Sequence, residues 1–256
     1  MTNLQESPVP YSTPEGLSYN QEILAGMLFD VQVKGPAYRL HFNEDGTHRM
    51  YKVEDRITSP LDFAQHQEEH AFKHHEKNPY SPLAPVKINL RNLPSEVLDQ
   101  IGTVYSEIPE RGILPDICTG IPDAGTALAR SYSEKSEIPL EEVFVKEEDD
   151  KSRRIVASGV SGDGRFLRIV DDTATGGESK FEAIAAAESM GFGVSDITVL
   201  IDREQGAKEL IESQGYSYRF AFTLMQLLQF GFRTKRISEE QFNSAQDYLL
   251  SQKQAS

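Results

Sequence analysis

From position 166 the sequence reads Phe166-Leu167-Arg168-Ile169-Val170-Asp171-Asp172-Thr173-Ala174-Thr175-Gly176-Gly177. An apolar strand here ends in two acids and continues into a loop of small residues. Small residues let the backbone approach a ligand closely. The N–H groups of such a loop, together with the start of the next helix, can hold a phosphate dianion. The hydroxyls of Thr173 and Thr175 add two more donors.

The two acids at the strand end indicate a sugar beside the phosphate. Asp171 and Asp172 would repel a phosphate, but carboxylates accept hydrogen bonds from sugar hydroxyls. Phosphate donors next to hydroxyl acceptors predict a ribose 5-phosphate site over residues 171–177. The structural alternative is a strand end with an Asp-rich turn before a capped helix.

Apolar strands alternate with amphipathic helices from residue 81 to the C-terminus. Strands are predicted at residues 117–119, 142–146, 165–170, 197–201 and 218–221. Helices are predicted at residues 95–106, 125–133, 180–190, 206–214, 222–232 and 239–251. This alternation indicates βαβ units, so the predicted fold class is α/β with a mainly parallel sheet flanked by helices. Ligands of such sheets bind beyond the carboxyl ends of the strands, where the 173–177 loop lies.

The chain is expected to have three regions. Residues 1–20 are a flexible polar lead, without the basic start and apolar core of a signal peptide. Residues 21–94 are expected to form an N-terminal hood, with a helix at 21–29, an extended segment ending at Phe42, and a polar insertion at 43–80. Within that insertion, residues 62–77 form a charged, helix-like run. Residues 95–256 are the core and the closing helices.

Charge and cysteine content exclude several classes of protein. The net charge is −14 and the isoelectric point is about 4.9, which argues against nucleic-acid binding. No apolar run approaches the roughly 18 residues of a membrane span. A single cysteine fits a reducing cytoplasm. A polyphosphate ligand would therefore need local N–H groups, a few cations and a metal ion to overcome the overall field.

Several segments resemble the type I phosphoribosyltransferases, and among them the orotate branch. Residues 170–177 resemble the PRPP-binding motif of the whole type I family. Residues 199–206 resemble a segment typical of orotate phosphoribosyltransferases. The N-terminal lead of that family resembles Leu28-Phe29-Asp30-Val31 with Tyr38-Arg39-Leu40. Its base-site hood resembles Ser81-Pro82 with Asn89-Leu90-Arg91, and its diphosphate loop resembles Gly120-Ile121-Pro122 with Ala127-Leu128-Ala129.

This resemblance implies a pentosyltransferase of pyrimidine and UMP biosynthesis. Orotate would attack C1 of PRPP, giving orotidine 5-monophosphate and diphosphate. The family also implies a cytoplasmic homodimer whose mobile loop reaches the neighbouring active site. Mg²⁺ is expected to be held mainly through substrate oxygens, with no protein ligand assigned. Metal and cationic side chains would stabilise the leaving diphosphate.

The resemblance assigns roles to single residues. Asp171, Asp172 and the loop through Gly177 would bind the ribose and its phosphate. Thr175 and Arg203 match positions that hold the orotate ring, and an arginine suits an anionic, carbonyl-rich base.

The mobile catalytic loop should follow the strand at 142–146, and there the match is incomplete. Lys146 and Asp150 match the family pattern. Asp149 occupies the position of the expected catalytic lysine, and an acid cannot stabilise a leaving diphosphate. Lys151, Arg153 or Arg154 could supply that cation, or each could be an ordinary solvated charge. The predicted catalytic set is Lys146, Asp150, Lys151, Asp171 and Asp172.

Other departures lie on the base and diphosphate sides. His41 stands where the family has a lysine, nearly forty residues separate Phe42 from Ser81, and Asp123-Ala124 alters the diphosphate loop. Two alternatives follow: a phosphoribosyltransferase for a different base, or a non-catalytic PRPP-binding regulatory protein.

Two further features of the sequence could form functional sites. His66, His70 and His74, with His75 adjacent, would share one helix face and could bind a transition metal. A solvated helix face is the favoured interpretation. For Cys118 a small buried core residue is favoured over a nucleophile, because no histidine partner is placed beside it.

Overall fold

The computed structural model describes residues 13–44, 48–63, 84–148 and 153–255 of the chain. Its helices are α1 (Tyr19–Asp30), α2 (Ser95–Glu107), α3 (Ala124–Ser136), α4 (Glu178–Ser189), α5 (Ala207–Ser213), α6 (Leu224–Arg233) and α7 (Glu239–Ala255). Its strands are β1 (Val33–Phe42), β2 (His48–Thr58), β3 (Leu61–Phe63), β4 (Val86–Ile88), β5 (Ile117–Gly120), β6 (Phe144–Glu148), β7 (Arg153–Ala157), β8 (Phe166–Ala174), β9 (Gly193–Asp202) and β10 (Ser217–Thr223).

The centre of the molecule is a parallel sheet with the strand order β10-β9-β8-β5. Most residues of β8 and β9 are buried, because helices cover both faces of the sheet. This explains why both strands appear in the sequence as continuous apolar runs. The predicted α/β fold with a mainly parallel sheet is confirmed.

Two apolar clusters form the core, one on each face of the sheet. The first joins α1, α2, α3, α6 and α7, through residues such as Leu24, Val97, Leu128, Leu227 and Leu249. The second packs α4, α5 and β6 against the opposite face, through residues such as Phe144, Ala183, Ile184 and Ile211. Within the described ranges no helix is long and apolar enough to cross a membrane.

Among the described residues, three antiparallel strand pairs lie outside the parallel sheet. They pair β1 with β2, β3 with β4, and β6 with β7. The predicted strand at 142–146 is therefore part of a separate hairpin and does not extend the central sheet. The region predicted as a polar insertion contains β2 and β3, which the alternation of strands and helices did not indicate.

Two boundary predictions were wrong. Asp62 and Phe63, placed at the start of the helix-like run, belong to β3, where they pair with Lys87 and Val86. The remainder of that run, with its four histidines, lies outside the described residues. Strand β8 continues past Val170 to Ala174, because Thr173 and Ala174 pair with Ile201 and Asp202 of β9.

The helix starts follow local capping chemistry. Ser18 caps α1 in a capping box with Gln21, so the helix begins two residues before the predicted start. Pro94 precedes α2, as its sequence indicated. Thr223 caps α6 in a second capping box with Gln226, and the helix accordingly begins after Phe222, which belongs to β10.

A buried network of charges joins the middle strands of the sheet. Arg168 of β8 is 1% exposed, and its Nε lies 2.9 Å from Oδ1 of Asp196, which is 0% exposed. Arg168 also contacts Glu110 through both carboxylate oxygens. Arg219 of β10 lies 3.8 Å from the same Asp196 carboxylate. A buried charge is tolerated only when it is paired in this way.

We expect Arg168→Met to lower the free energy of unfolding by roughly 3–5 kcal/mol, because it leaves Asp196 buried without its main counter-charge. Arg130→Met is a matched control, since Arg130 forms an exposed pair with Glu142 at 3.9 Å. The control should cost less than about 1 kcal/mol. Urea unfolding measures the free energy of unfolding of both variants. Equal losses would contradict the role of Arg168 as the main counter-charge of Asp196.

Candidate active site

The carboxyl ends of β5, β8 and β9 bring three loops together at one edge of the sheet. The loop after β5 is joined to β8 by the N–H of Ile121, which donates to the carbonyl of Val170 at 2.9 Å. The loop after β9 is joined to β8 by the N–H of Arg203, which donates to the carbonyl of Ala174 at 3.1 Å. Segments that are far apart in sequence therefore share one site.

Two glycines let the first loop pack closely on β8. A Cβ on Gly120 would lie 2.2 Å from the carbonyl oxygen of Gly125. A Cβ on Gly125 would lie 2.6 Å from the carbonyl oxygen of Val170. Both contacts are with backbone and cannot be relieved by moving a side chain. These positions therefore require glycine if the start of α3 is to reach the strand end.

A cavity of about 370 Å³ lies between the loop after β5, the loop after β8 and the start of α4. Four of the predicted ribose-phosphate residues line it, and they are Asp171, Asp172, Thr173 and Thr175. The cavity is also lined by Arg91, Ile121, Pro122, Asp123, Ala124, Ile155, Ser179, Lys180 and Glu182.

The other three predicted loop residues lie outside this lining. Ala174 is buried beneath the loop. Gly177 has φ +88° and is the residue that precedes α4, so a glycine is needed there for the backbone to turn into the helix. Gly176 lines a second cavity of about 920 Å³, which extends along α5 beside Asp202, Glu204 and Phe220.

Asp171 is buried at the end of β8. Its Oδ1 accepts a hydrogen bond from the N–H of Asp172 at 2.9 Å, and its Oδ2 lies 2.8 Å from Nζ of Lys180. The hydroxyl of Tyr105 donates to its backbone carbonyl at 3.2 Å. Burial raises the pKa of Asp171 to about 6, although Lys180 acts in the opposite direction. Asp171 is therefore mostly ionised at neutral pH.

Asp172 is half-buried and organises the start of the loop. Its Oδ1 accepts from the N–H of Thr173 at 2.6 Å and from the Thr173 hydroxyl at 3.3 Å. The two adjacent carboxylates are thus held by separate partners. Both line the cavity as acceptors for hydroxyl groups.

Arg203 is placed beside the loop but not among the residues that line the smaller cavity. Its Nε is buried and has no hydrogen-bond partner within the described part of the chain. Burial lowers the pKa of Arg203, and the nearby Tyr248 and Asp172 oppose this effect. A buried guanidinium atom without a partner is costly, and an anionic ligand would satisfy it.

Cations from separate elements contact Asp123 in the loop after β5. Nζ of Lys146 lies 3.0 Å from Oδ2 of Asp123, and a guanidinium nitrogen of Arg91 lies 3.7 Å from the same oxygen. Lys146 comes from β6 and Arg91 from the predicted hood. Besides Asp171 and Asp172, which line the cavity, the structure thus brings a third residue of the predicted catalytic set, Lys146, to its edge. Asp150 and Lys151, with Asp149, lie outside the described residues.

Cys118 is a core residue, as predicted. It is 0% exposed, and its sulfur faces the carbonyl of Ala129 at 3.7 Å. Burial raises the pKa of the thiol to about 12, so the reactive thiolate is absent at neutral pH.

Lys180 is the site residue that sequence reasoning missed. It was assigned only to an Ala-rich helix, whereas the structure buries it next to Asp171. The pattern of α4 holds a signal that could have identified it: position 180 shares a helix face with the buried residues Ala183, Ile184 and Ala187.

Comparison with known proteins shows which proteins this chain is similar to. No family model matches the chain. The orotate phosphoribosyltransferase of Sulfolobus acidocaldarius is 26% identical over 170 residues, which are 66% of this chain and 85% of that protein. The uridine 5'-monophosphate synthase of Bos taurus is 28% identical over 160 residues, which are 61% of this chain. The match spans only 33% of that longer protein.

The solved structures show the same fold. The UMP synthase of Leishmania donovani superposes with a TM-score of 0.65 at 22% identity, and the match covers 91% of this chain and 43% of that one. The chain is therefore a homologue of the orotate phosphoribosyltransferases, and its fold is that of the type I phosphoribosyltransferases.

Proposed function

We propose that the protein is an orotate phosphoribosyltransferase that moves the phosphoribosyl group of PRPP onto orotate, giving orotidine 5-monophosphate and diphosphate. One observation carries the proposal. The backbone N–H of Arg203 donates to the carbonyl of Ala174 in the loop suited to ribose 5-phosphate, and the buried Nε of Arg203 has no hydrogen-bond partner among the described residues, which supports an anionic ligand there. An anionic base and a phosphoribosyl group would then lie side by side.

The proposed roles follow from the chemistry of each group. The N–H groups of residues 173–177 and the start of α4 bind the 5-phosphate. Asp171 and Asp172 accept hydrogen bonds from the ribose hydroxyls. Thr175 and Arg203 hold the base. Lys146, Asp150 and Lys151 are proposed to act on the diphosphate side, where charge builds as the C1–O bond breaks.

Mg²⁺ is proposed as the cofactor on electrostatic grounds. Asp123, Asp171 and Asp172 line one cavity in a chain of net charge −14, so a free diphosphate would be repelled. When bound, the metal neutralises charge on the diphosphate. Within the described residues there is no group of three or more His, Cys, Asp or Glu side chains able to hold a metal. We therefore assign Mg²⁺ to oxygens of PRPP and not to a protein ligand set.

Assembly, location and domain roles are part of the same proposal. Residues 21–94 would form the hood over the base, because Arg91 of this region already reaches the cavity. An isologous homodimer is the default arrangement for a pair of identical subunits. A cytoplasmic location agrees with a single, buried, unpaired cysteine.

The direct test mixes pure protein with PRPP, Mg²⁺ and orotate and follows the loss of orotate absorbance. We expect turnover that a chelator abolishes and that Asp172→Asn reduces. Diphosphate release with another base in place of orotate would support a different transferase. PRPP-dependent thermal stabilisation without turnover of any base would support the regulatory alternative, which the acid at position 149 favours. In that case Asp149→Lys should restore activity.

The base assignment has its own test in Arg203→Met. We expect the KM for orotate to rise at least roughly thirtyfold, because losing a buried charged partner costs about 2 kcal/mol or more. The KM for PRPP should change by less than roughly threefold, since Asp171, Asp172 and the loop N–H groups remain.

Arg130→Met, which removes an exposed arginine, is the control and should leave both constants unchanged. Equal increases in the two KM values would contradict a specific role for Arg203 in holding the base.

A further inference from the structure

A lysine occupies a position of α4 where the helix pattern requires an apolar residue. Ala183, Ile184 and Ala187 are buried against the sheet and share one face with position 180. Lys180 is nevertheless only 4% exposed. Burying an ammonium group is costly unless it is paired and hydrogen-bonded, so its partners explain why it is tolerated.

The ammonium group of Lys180 has an acceptor for each of its three N–H bonds. Nζ lies 2.8 Å from Oδ2 of Asp171, 2.5 Å from the carbonyl of Thr173 and 3.3 Å from the hydroxyl of Ser179. Lysine has three donors, so the group is fully satisfied. The contacts tie the first turn of α4 to the end of β8, where the phosphoribosyl loop begins.

Lys180 is the main counter-charge of Asp171. Among the ion pairs of the described residues, no other cation contacts that carboxylate. The other titratable groups that face it are Asp172 on β8, Tyr105 on α2 and Tyr218 on β10. Asp172 repels its charge. Burial raises the pKa of each tyrosine, so both are neutral at neutral pH.

The charge of Asp171 depends on two opposing effects, its burial and the attraction of Lys180. Burial already raises its pKa to about 6 with Lys180 in place. Without that cation only the hydrogen bond from the N–H of Asp172 would oppose desolvation, and a larger share of the carboxyl group would be protonated at neutral pH. A protonated Asp171 loses acceptor capacity for a ribose hydroxyl.

We propose that Lys180 is a positioning residue that keeps Asp171 charged and holds the carbonyl of Thr173, so that the loop presents a fixed pair of acceptors to the ribose. The inference deepens the proposed function, because it assigns a residue to the ribose side of that same site. Lys180 acts through Asp171 and the loop and does not itself touch the reacting atoms.

The first experiment needs no substrate. The pKa of Asp171 is measured by NMR of protein labelled with ¹³C at the aspartate carboxyl carbons, with Asp171→Asn assigning the resonance. We expect Lys180→Met to raise this pKa by at least roughly one pH unit. Lys180→Arg should leave it close to the wild-type value. Lys235→Met, at an exposed lysine after α6, is the matched control and should leave it unchanged.

The second experiment measures how the Lys180 variants bind and use PRPP. In Lys180→Met the acid limb of kcat/KM for PRPP should move to higher pH, together with the pKa of Asp171. PRPP affinity at pH 7 should fall at least roughly twofold, because a pKa raised by one unit from about 6 leaves only about half of the Asp171 carboxyl groups ionised at that pH. In the double variant, the loss of PRPP affinity should be less than the sum of the losses caused by Asp171→Asn and Lys180→Met, because the lysine acts partly through the acid and partly through the loop.

A purely structural role predicts a different result. If Lys180→Met lowers the melting temperature but leaves the pKa of Asp171 and the acid limb unchanged, the inference is overturned. If Lys180→Met fails to fold, Lys180→Gln repeats the test with a side chain that is neutral but polar. If orotate transfer is absent while the Asp171 resonance still shifts, the proposed function fails and the role of Lys180 at this carboxylate stands.

Discussion

Parallel pairing of β5, β8 and β9 is the constraint on which the site depends. Parallel strands place their carboxyl ends at one edge of the sheet, and the loops that follow must meet there. The pairing is extended beyond the strands by single hydrogen bonds, from Ile121 to Val170 and from Arg203 to Ala174. Close packing at Gly120 and Gly125 removes the remaining space between the first loop and β8. These three connections hold the loops at this edge of the sheet together.

The proposed ribose and diphosphate sides of the cavity are built differently. On the ribose side, Asp171 and Lys180 are buried, so their mutual attraction acts in a low dielectric and their geometry is set by packing. On the diphosphate side, Asp123 is half-exposed to solvent, and Arg91 is as well. Pairs of this kind are weak and exchange partners readily. A rigid sugar site beside adjustable cations suits a reaction in which diphosphate must both arrive and leave.

Much of the fold could be predicted because buried parallel strands and amphipathic helices leave periodic patterns. The runs at β8 and β9 and the helices α2, α6 and α7 were recognised in this way. The segments of β1 and β6 were predicted to be extended, but the pairing of β1 with β2, β3 with β4 and β6 with β7 was not predicted, because local periodicity does not show which strands pair. The end of β8 was placed too early, because Thr173 and Ala174 resemble loop residues until β9 pairs with them. Lys180 was missed for a related reason, as a lysine in a helix is usually solvated.

The sequence by itself determined the chemistry of the ribose-phosphate loop, because residues 171–177 contain the acceptors, the hydroxyl donors and the small residues within one contiguous segment. It also indicated Arg203 as a partner for an anionic base. Only the tertiary structure decided which distant groups share the site: Arg91 and Lys146 with Asp123, and Lys180 with Asp171. It also decided the charge state of Asp171. Both depend on burial and on distances of a few ångströms between separate elements, and these arise only when the sheet and its helices pack.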